Sequence, residues 1–347
     1  MVILLIAIIA FIAFAAILED NLVKYKWQIY IFLGVVFIMT AAFRVVGNDN
    51  DSQTYEYYFL HYDEPLTALA VEFSFIIISF FVNKFTTDVH WLFFIYAVLG
   101  VTLKFLAIKK LSKFLFLSLF IYVCHFFVLH DMIQMRVSVS TALLLLAIKP
   151  LSEGRRRTAL LLMATAAFFH YSSLAMLAVL LFNNKPLSNK MLWFMAAIIP
   201  VGYAAFLMNI DLVTTVPIPY IGEKIEMYKQ LKDMGRYDEL AIFNNPIVLI
   251  RIFMFYLLLA FHDTIYNYNK EFPLMMKIEA LSFICFFMLS SLPVLAGRLS
   301  ELFSVVDIIL YTNVVYIFRP QYMAKLFVFA MCLMLFYMDV FVLDFIK

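Results

Sequence analysis

Residues 114–150 read FLFLSLFIYVCHFFVLHDMIQMRVSVSTALLLLAIKP. A helix that crosses a bilayer needs about 17–25 mostly apolar residues. This stretch holds two such runs, 114–130 and 133–150, joined by a short polar break. Basic residues flank the pair: Lys109, Lys110 and Lys113 before it, Arg155, Arg156 and Arg157 after it. Short basic loops stay on the cytoplasmic side, so the pair runs out and back with its break near the opposite face. Arg136 sits just past that break. A charge at mid-bilayer costs about 2.5–3.5 kcal/mol on insertion scales. It is kept where it faces a wet cavity, a partner or a ligand.

The rest of the chain has the same character. It is 65% hydrophobic and 14% charged, whereas a soluble domain has about 45–50% apolar and 25% charged residues. Lipid-exposed backbone must satisfy its own hydrogen bonds, so this composition specifies an all-α polytopic membrane protein. Candidate spans are 2–18, 28–43, 66–82, 89–108, 114–130, 133–150, 158–182, 191–208, 246–265, 278–296, 302–318 and 323–342. That predicts about ten to twelve membrane segments in a single integral domain, 1–347. The first run has neither a basic start nor a cleavage-like exit and reads as a retained span. Cys124, Cys285 and Cys332 all lie in apolar runs and read as small hydrophobes. The net charge of +2 points to no class of partner, nucleic acid included.

The segments NNKPLSNK, NYNKEFPLMMK and FRPQYMAK also carry cytoplasmic charge. The acidic, Tyr-rich loop 44–65, containing GNDNDSQTYEYYFLHYDEP, reads as external. These sides conflict if every run crosses. The conflict is resolved if 158–182 is a re-entrant pair broken around His170, Tyr171, Ser172 and Ser173, as is tolerated where backbone lines a cavity. A second half-span is expected between 66 and 108. Loop 209–245 is then external. Within it, PYIGEKIEMYKQLKDM places Ile221, Ile225, Tyr228 and Leu231 at helical spacing, as an amphipathic helix on the membrane surface or a plain connector.

Several chemistries lack a motif: there is no H-E-x-x-H, zinc-spaced Cys/His set, P-loop or G-x-S-x-G. What remains is a set of charges in apolar surroundings. Arg136 presents a rigid fork of donors suited to phosphate or diphosphate. Gln134, Ser138 and Ser140 give its helix a polar face. Its plain structural reading is an arginine that snorkels from a helix end. His170, in ATAAFFHYSSLAML, serves either as a donor, base or carboxylate partner, or as a structural histidine bonded to a neighbouring helix. Arg298, in SSLPVLAGRLSELF, has Glu301 at i+3, either as the residue that holds it or as a self-satisfied ion pair. Asp49-Asn50-Asp51 is a D-x-D, the pair that holds a divalent ion in some soluble transferases, or simply a solvated acidic loop. Tyr55, Tyr57, Tyr58 and Tyr62 stack on sugars or anchor at the interface.

Taken in order, four short patterns resemble the EpsG family, which overlaps the Wzy-type O-antigen and capsule polymerases. They are Arg44, Gly47, Asp51 and Tyr55; then Met135-Arg136; then Phe169-His170 with Ser172 and Leu174; then Arg298 ahead of Leu302-Phe303. Val137 replaces the family's usual Gln and Ser140 a common Ala, and the resemblance covers roughly residues 40–305.

The resemblance implies a helical bundle of the GT-C kind in a bacterial inner membrane, working on its external, periplasmic face. The implied reaction moves a growing glycan from undecaprenyl diphosphate to a sugar hydroxyl of an incoming lipid-linked repeat unit. Arg136 and Arg298, with His170 as a third donor, would stabilise the leaving diphosphate without metal or other cofactor. Asp51 or Glu301 would serve as base. Arg44, Tyr55, Gln134, Ser172, Tyr228 and Arg236 would contact substrate. Implied partners are membrane lipid, a flippase and a chain-length regulator. A flippase for the same glycolipid is the main competing class. It would show internal repeats and Gly/Pro-broken helices, and 8 glycines in 347 residues argue against it. A membrane acyltransferase would need a carboxylate partner for His170 near in sequence, and a scaffold would leave the three separated cations unexplained.

Overall fold

The computed structural model describes residues 1–208, 226, 230, 234, 245–289 and 292–346. The protein is 79% helical and has no strand among the described residues. It divides into two compact units, residues 1–183 with 307–347, and residues 184–306. This agrees with an all-α polytopic membrane protein.

The first unit is built around residues 114–150. Helix α7 (Leu115–Ile121) continues into a π-helix over Tyr122–Ile133, and α8 (Met135–Ser152) returns after a single non-helical residue, Gln134. Together α7 and the π-helix form a 19-residue apolar segment that is 94% buried. It is therefore shielded from lipid and forms the unit's centre. Helix α6 (His90–Leu111) packs on α8 and on α2 (Lys26–Ala42), and α8 packs on α9 (Arg156–Phe169). Helices α6 and α8 meet at Gly100, where an added Cβ would lie 2.0 Å from Ser138 Oγ. That close approach lets Lys104 Nζ reach Asp131 Oδ2 at 2.7 Å and Ser138 Oγ at 2.8 Å. Tyr122 donates to the same carboxylate oxygen at 2.7 Å. A buried charge pair survives only with its lone pairs and protons satisfied, and here they are.

Two apolar runs that read as continuous spans are broken. In 66–82, α4 (Pro65–Ala70) and α5 (Phe73–Asn83) are separated by Val71 and Glu72, both extended (φ −127, ψ 162; φ −79, ψ 160). In 158–182, α9 stops at His170, which is extended (φ −155, ψ 115), and a tighter 3₁₀ helix takes over at Tyr171–Leu181. The break at His170 is where the sequence places it. The break at Glu72 falls inside the region where a half-span is expected.

Among the described residues, five helices are long and apolar enough to cross a membrane, or seven if each of two bent pairs is one span; four shorter apolar helices bring the apolar segments to eleven. Val2–Ile17, Lys26–Ala42, Phe73–Asn83 and Tyr171–Leu181 are apolar but only 10–17 residues long. A helix of 16 residues reaches about 24 Å, short of a hydrocarbon core about 30 Å thick. Hydropathy windows counted apolar length across the breaks.

In the second unit, α10 (Asn189–Leu207) is followed by α11 (Pro246–Ala260) and α12 (His262–Tyr268), bent by 77°, then α13 (Phe272–Met288) and α14 (Pro293–Ser304). Helix α10 is only 17% buried and presents most of its surface outward, as a lipid-facing helix does. Residues 209–244 are outside the described residues except Glu226, Gln230 and Met234. The expected amphipathic helix, Tyr228 and Arg236 fall there.

Candidate functional site

The two chain breaks meet. Glu72 precedes α5, and one of its carboxylate oxygens, Oε1, accepts from His170 Nδ1 at 2.9 Å and from the Tyr171 N–H at 3.4 Å. Its other oxygen, Oε2, takes Nη1 of Arg136 from the first turn of α8. Arg136 and His170, two of the expected residues, are thus joined by a carboxylate that the sequence reading passed over. The side chains of Glu72, His170 and Arg136 are 6%, 13% and 18% exposed. Extended backbone at both breaks is what turns Glu72 and His170 toward each other. Had either run stayed helical, its side chain would follow the helix face.

Tyr55, from α3 (Ser52–Leu60), is buried, with its ring centre 5.5 Å from the Arg136 guanidinium. Arg136 Nε is buried and has no hydrogen-bond partner among the described residues. A buried donor without an acceptor costs roughly 1–3 kcal/mol, and Arg44 Nη2 is in the same position among the described residues. Charge balance matters here as well. One carboxylate already neutralises the guanidinium, so an incoming anion engages the open Nε edge or displaces Glu72. Among the other expected residues of this unit, Gln134 supplies the non-helical residue from which α8 starts, its N–H bonded to Leu129 O at 3.0 Å. Ser172 is half-buried in the 3₁₀ helix.

Arg44 has a structural role. It is buried, with Nε on Asp49 Oδ2 at 3.1 Å, Nη1 on Ala41 O at 2.6 Å, and its guanidinium 3.9 Å over the Phe93 ring. Asp49 Oδ1 accepts the N–H groups of Asp51 and Ser52 at 3.0 and 2.8 Å, holding the first turn of α3. Gly47 makes the turn between them in the left-handed region (φ 89). Both oxygens of Asp49 are therefore engaged within its own loop. Asp51 is half-buried at the start of α3. Below Arg44, His90 bridges its carbonyl oxygen (3.1 Å) and Asp88 (2.7 Å). The backbone N–H and ring of His90 hold the Asp88 carboxyl below its ordinary range.

Arg298 and Glu301 lie on α14 of the second unit, where Arg298 is exposed and Glu301 half-buried. Arg298 makes no ion pair with a described residue, so the i+3 pairing with Glu301 is not formed. That helix is held by a residue not singled out in the sequence, Arg251 of α11. Its Nη2 donates to Glu279 Oε1 at 2.8 Å and Ser282 Oγ at 2.6 Å, and its Nη1 to Ser300 Oγ at 3.1 Å. Glu72, Lys104 and Arg251 carried the same signal as Arg136, a lone charge in an apolar run. An open apolar groove of about 390 Å³ runs between α10 and α13, where Gly202 lets Phe287 approach. Among the described residues no group of three His, Cys, Asp or Glu side chains is placed to hold a metal.

No curated protein and no solved structure matches the chain. The ordered residues Arg44, Asp51, Tyr55, Arg136 and His170, now seen packed within one helical unit, fall inside a family match over residues 26–346. That match covers nearly the whole length and places this chain in the EpsG family, a family of Wzy-like polysaccharide polymerases.

Proposed function

We propose that this polymerase-type membrane protein transfers a growing glycan from undecaprenyl diphosphate to a sugar hydroxyl of an incoming lipid-linked repeat unit. The observation that carries this reading is Arg136: a mostly buried guanidinium whose Nε–H has no partner among the described residues, beside a histidine and a buried tyrosine. The leaving group is a diphosphate at the membrane surface. Fixed cationic donors in a water-poor site stabilise its developing charge more than water does. Arg136 takes that role, with Tyr55 and Ser172 along the sugar path and Gln134 fixing the start of the arginine's helix. Asp51 and Glu301 remain candidate bases. Arg298 contacts anionic substrate from its own unit, and Tyr228 and Arg236 extend the sugar contacts.

The reading has a GT-C-like, metal-independent transferase acting on the external face of a bacterial inner membrane. The engagement of both Asp49 oxygens supports metal independence. The apolar groove between α10 and α13 suits a polyprenyl tail. A flippase would supply the repeat units and a chain-length regulator would set the polymer's size.

The test supplies purified protein in detergent with synthetic lipid-diphosphate repeat units and reads a ladder of products. The ladder is expected to survive EDTA and to disappear in Arg136→Ala. A ladder that persists in Arg136→Ala removes the site. Loss in EDTA with recovery on a divalent ion restores a metal. Transbilayer movement of labelled glycolipid without a ladder identifies a transporter.

A further inference from the structure

Glu72 has no counterpart among the residues the family resemblance singled out, yet it is the atom-level centre of the site. A carboxylate only accepts hydrogen bonds, so His170 Nδ1, 2.9 Å away, must carry the hydrogen. In a neutral ring the other nitrogen, Nε2, is then a proton acceptor. Nε2 engages no described residue, while the ring keeps 13% exposure. A carboxylate, an imidazole held in one tautomer and a free acceptor nitrogen form an arrangement suited to general-base catalysis. The Tyr171 N–H on the same oxygen fixes the carboxylate's position. The remaining oxygen, through Arg136, ties the base to the cation.

We propose that Glu72 is a positioning residue that makes His170 Nε2 the base for the acceptor hydroxyl while holding Arg136 at the leaving diphosphate. This inference rests on the polymerase reading above. In the step, the hydroxyl proton passes to Nε2 as the oxygen bonds to the anomeric carbon. The bond from that carbon to the diphosphate oxygen breaks, and its electron pair leaves with undecaprenyl diphosphate. The imidazolium is balanced by Glu72 and returns its proton to the diphosphate or to water. The charged and titratable groups around His170 are Glu72 and Arg136, Tyr55 behind Arg136, Tyr96 of α6 against Phe169, and His130 of the π-helix. Only Glu72 contributes negative charge among them.

The test uses the full chain, the ladder assay and rate–pH profiles between about pH 5 and 9, where an imidazole titrates. Glu72→Gln is expected to lower kcat about a hundredfold or more with little change in KM. The rate–pH profile should change shape, because the carboxylate that fixes the ring's tautomer is gone. His170→Gln keeps the Glu72–Arg136 pair, which guards against misfolding, and is expected to lose as much. The double variant should lose no more than either single, as groups that act as a unit do. A Glu72→Gln profile that overlays the wild type, wild-type rates in His170→Gln, or multiplicative losses in the double variant would overturn the inference alone. A wild-type chain that makes no ladder would overturn the polymerase reading and this inference with it.

Discussion

Replacing Lys104 by Met tests whether the first unit's centre is held by a charge pair or merely tolerates one. Lys104 and Asp131 side chains are both 0% exposed, with Nζ 2.7 Å from Oδ2. Asp131 also accepts from Tyr122 at 2.7 Å and from Ser138 at 2.5 Å. Met matches lysine's length, so the change removes the charge and leaves little cavity. What remains is a buried carboxylate with two neutral donors. Breaking one partner of a buried pair costs about 3–5 kcal/mol, and Lys104→Met is expected in that range. Asp131→Asn should cost a similar amount, because it strands the ammonium. The double variant Lys104→Met/Asp131→Asn strands no charge; the Asn oxygen can accept from one of the Tyr122 and Ser138 hydroxyls, which meet different Asp131 oxygens, and its NH2 can donate to the other. It should therefore recover at least about 2 kcal/mol over either single variant. The assay is reversible unfolding in mixed detergent micelles, followed by tryptophan fluorescence and helical circular dichroism. Single variants within about 1 kcal/mol of wild type, or a double variant as unstable as the sum of the singles, would refute the argument.

Two further outcomes follow from the same structure. Asp49→Ala should cost about 3 kcal/mol or more, since it leaves buried Arg44 unpaired and removes the acceptor for two N–H groups at the start of α3. Asp51→Asn, which keeps the side chain's shape and strands no buried arginine, should cost less than Asp49→Ala in the same unfolding assay, and equal losses at the two positions would contradict these roles. Arg298→Ala should also leave stability within about 0.5 kcal/mol, because the side chain is exposed. Its ladder rate should nevertheless fall about a hundredfold, as when a transition-state donor is removed; an unchanged rate would take Arg298 out of the chemistry.

The site was half legible in the sequence. Arg136 and His170 stood out because each is a polar interruption of a long apolar run, and a charge or imidazole there needs a partner. Glu72 interrupts its run in the same way, inside 66–82, but a single carboxylate beside Phe and Ile is absorbed into the apolar average of the span. Its pairing with His170, 98 positions away, is non-local and leaves no local trace. Arg44 stands out through its place in an ordered motif, and its hydrogen bonds to described residues go to its own turn. The places where the runs break were hidden for a related reason. Hydropathy sums apolar side chains and is blind to an extended residue such as Glu72 or His170 that ends a helix without changing the sum.

By itself the sequence determined that the chain is a helical membrane protein, that 114–150 holds two apolar runs joined at a short break, and that a few charges lie in apolar surroundings. These follow from transfer free energies and backbone hydrogen bonding, which depend on composition and local order. Only the tertiary structure decided which charges meet. Lys104 found Asp131 because Gly100 lets two helices close on each other. Glu72 found His170 and Arg136 because two helices end in extended residues at the same place. A buried charge is stable only beside its partner, and partners distant in sequence are chosen by packing.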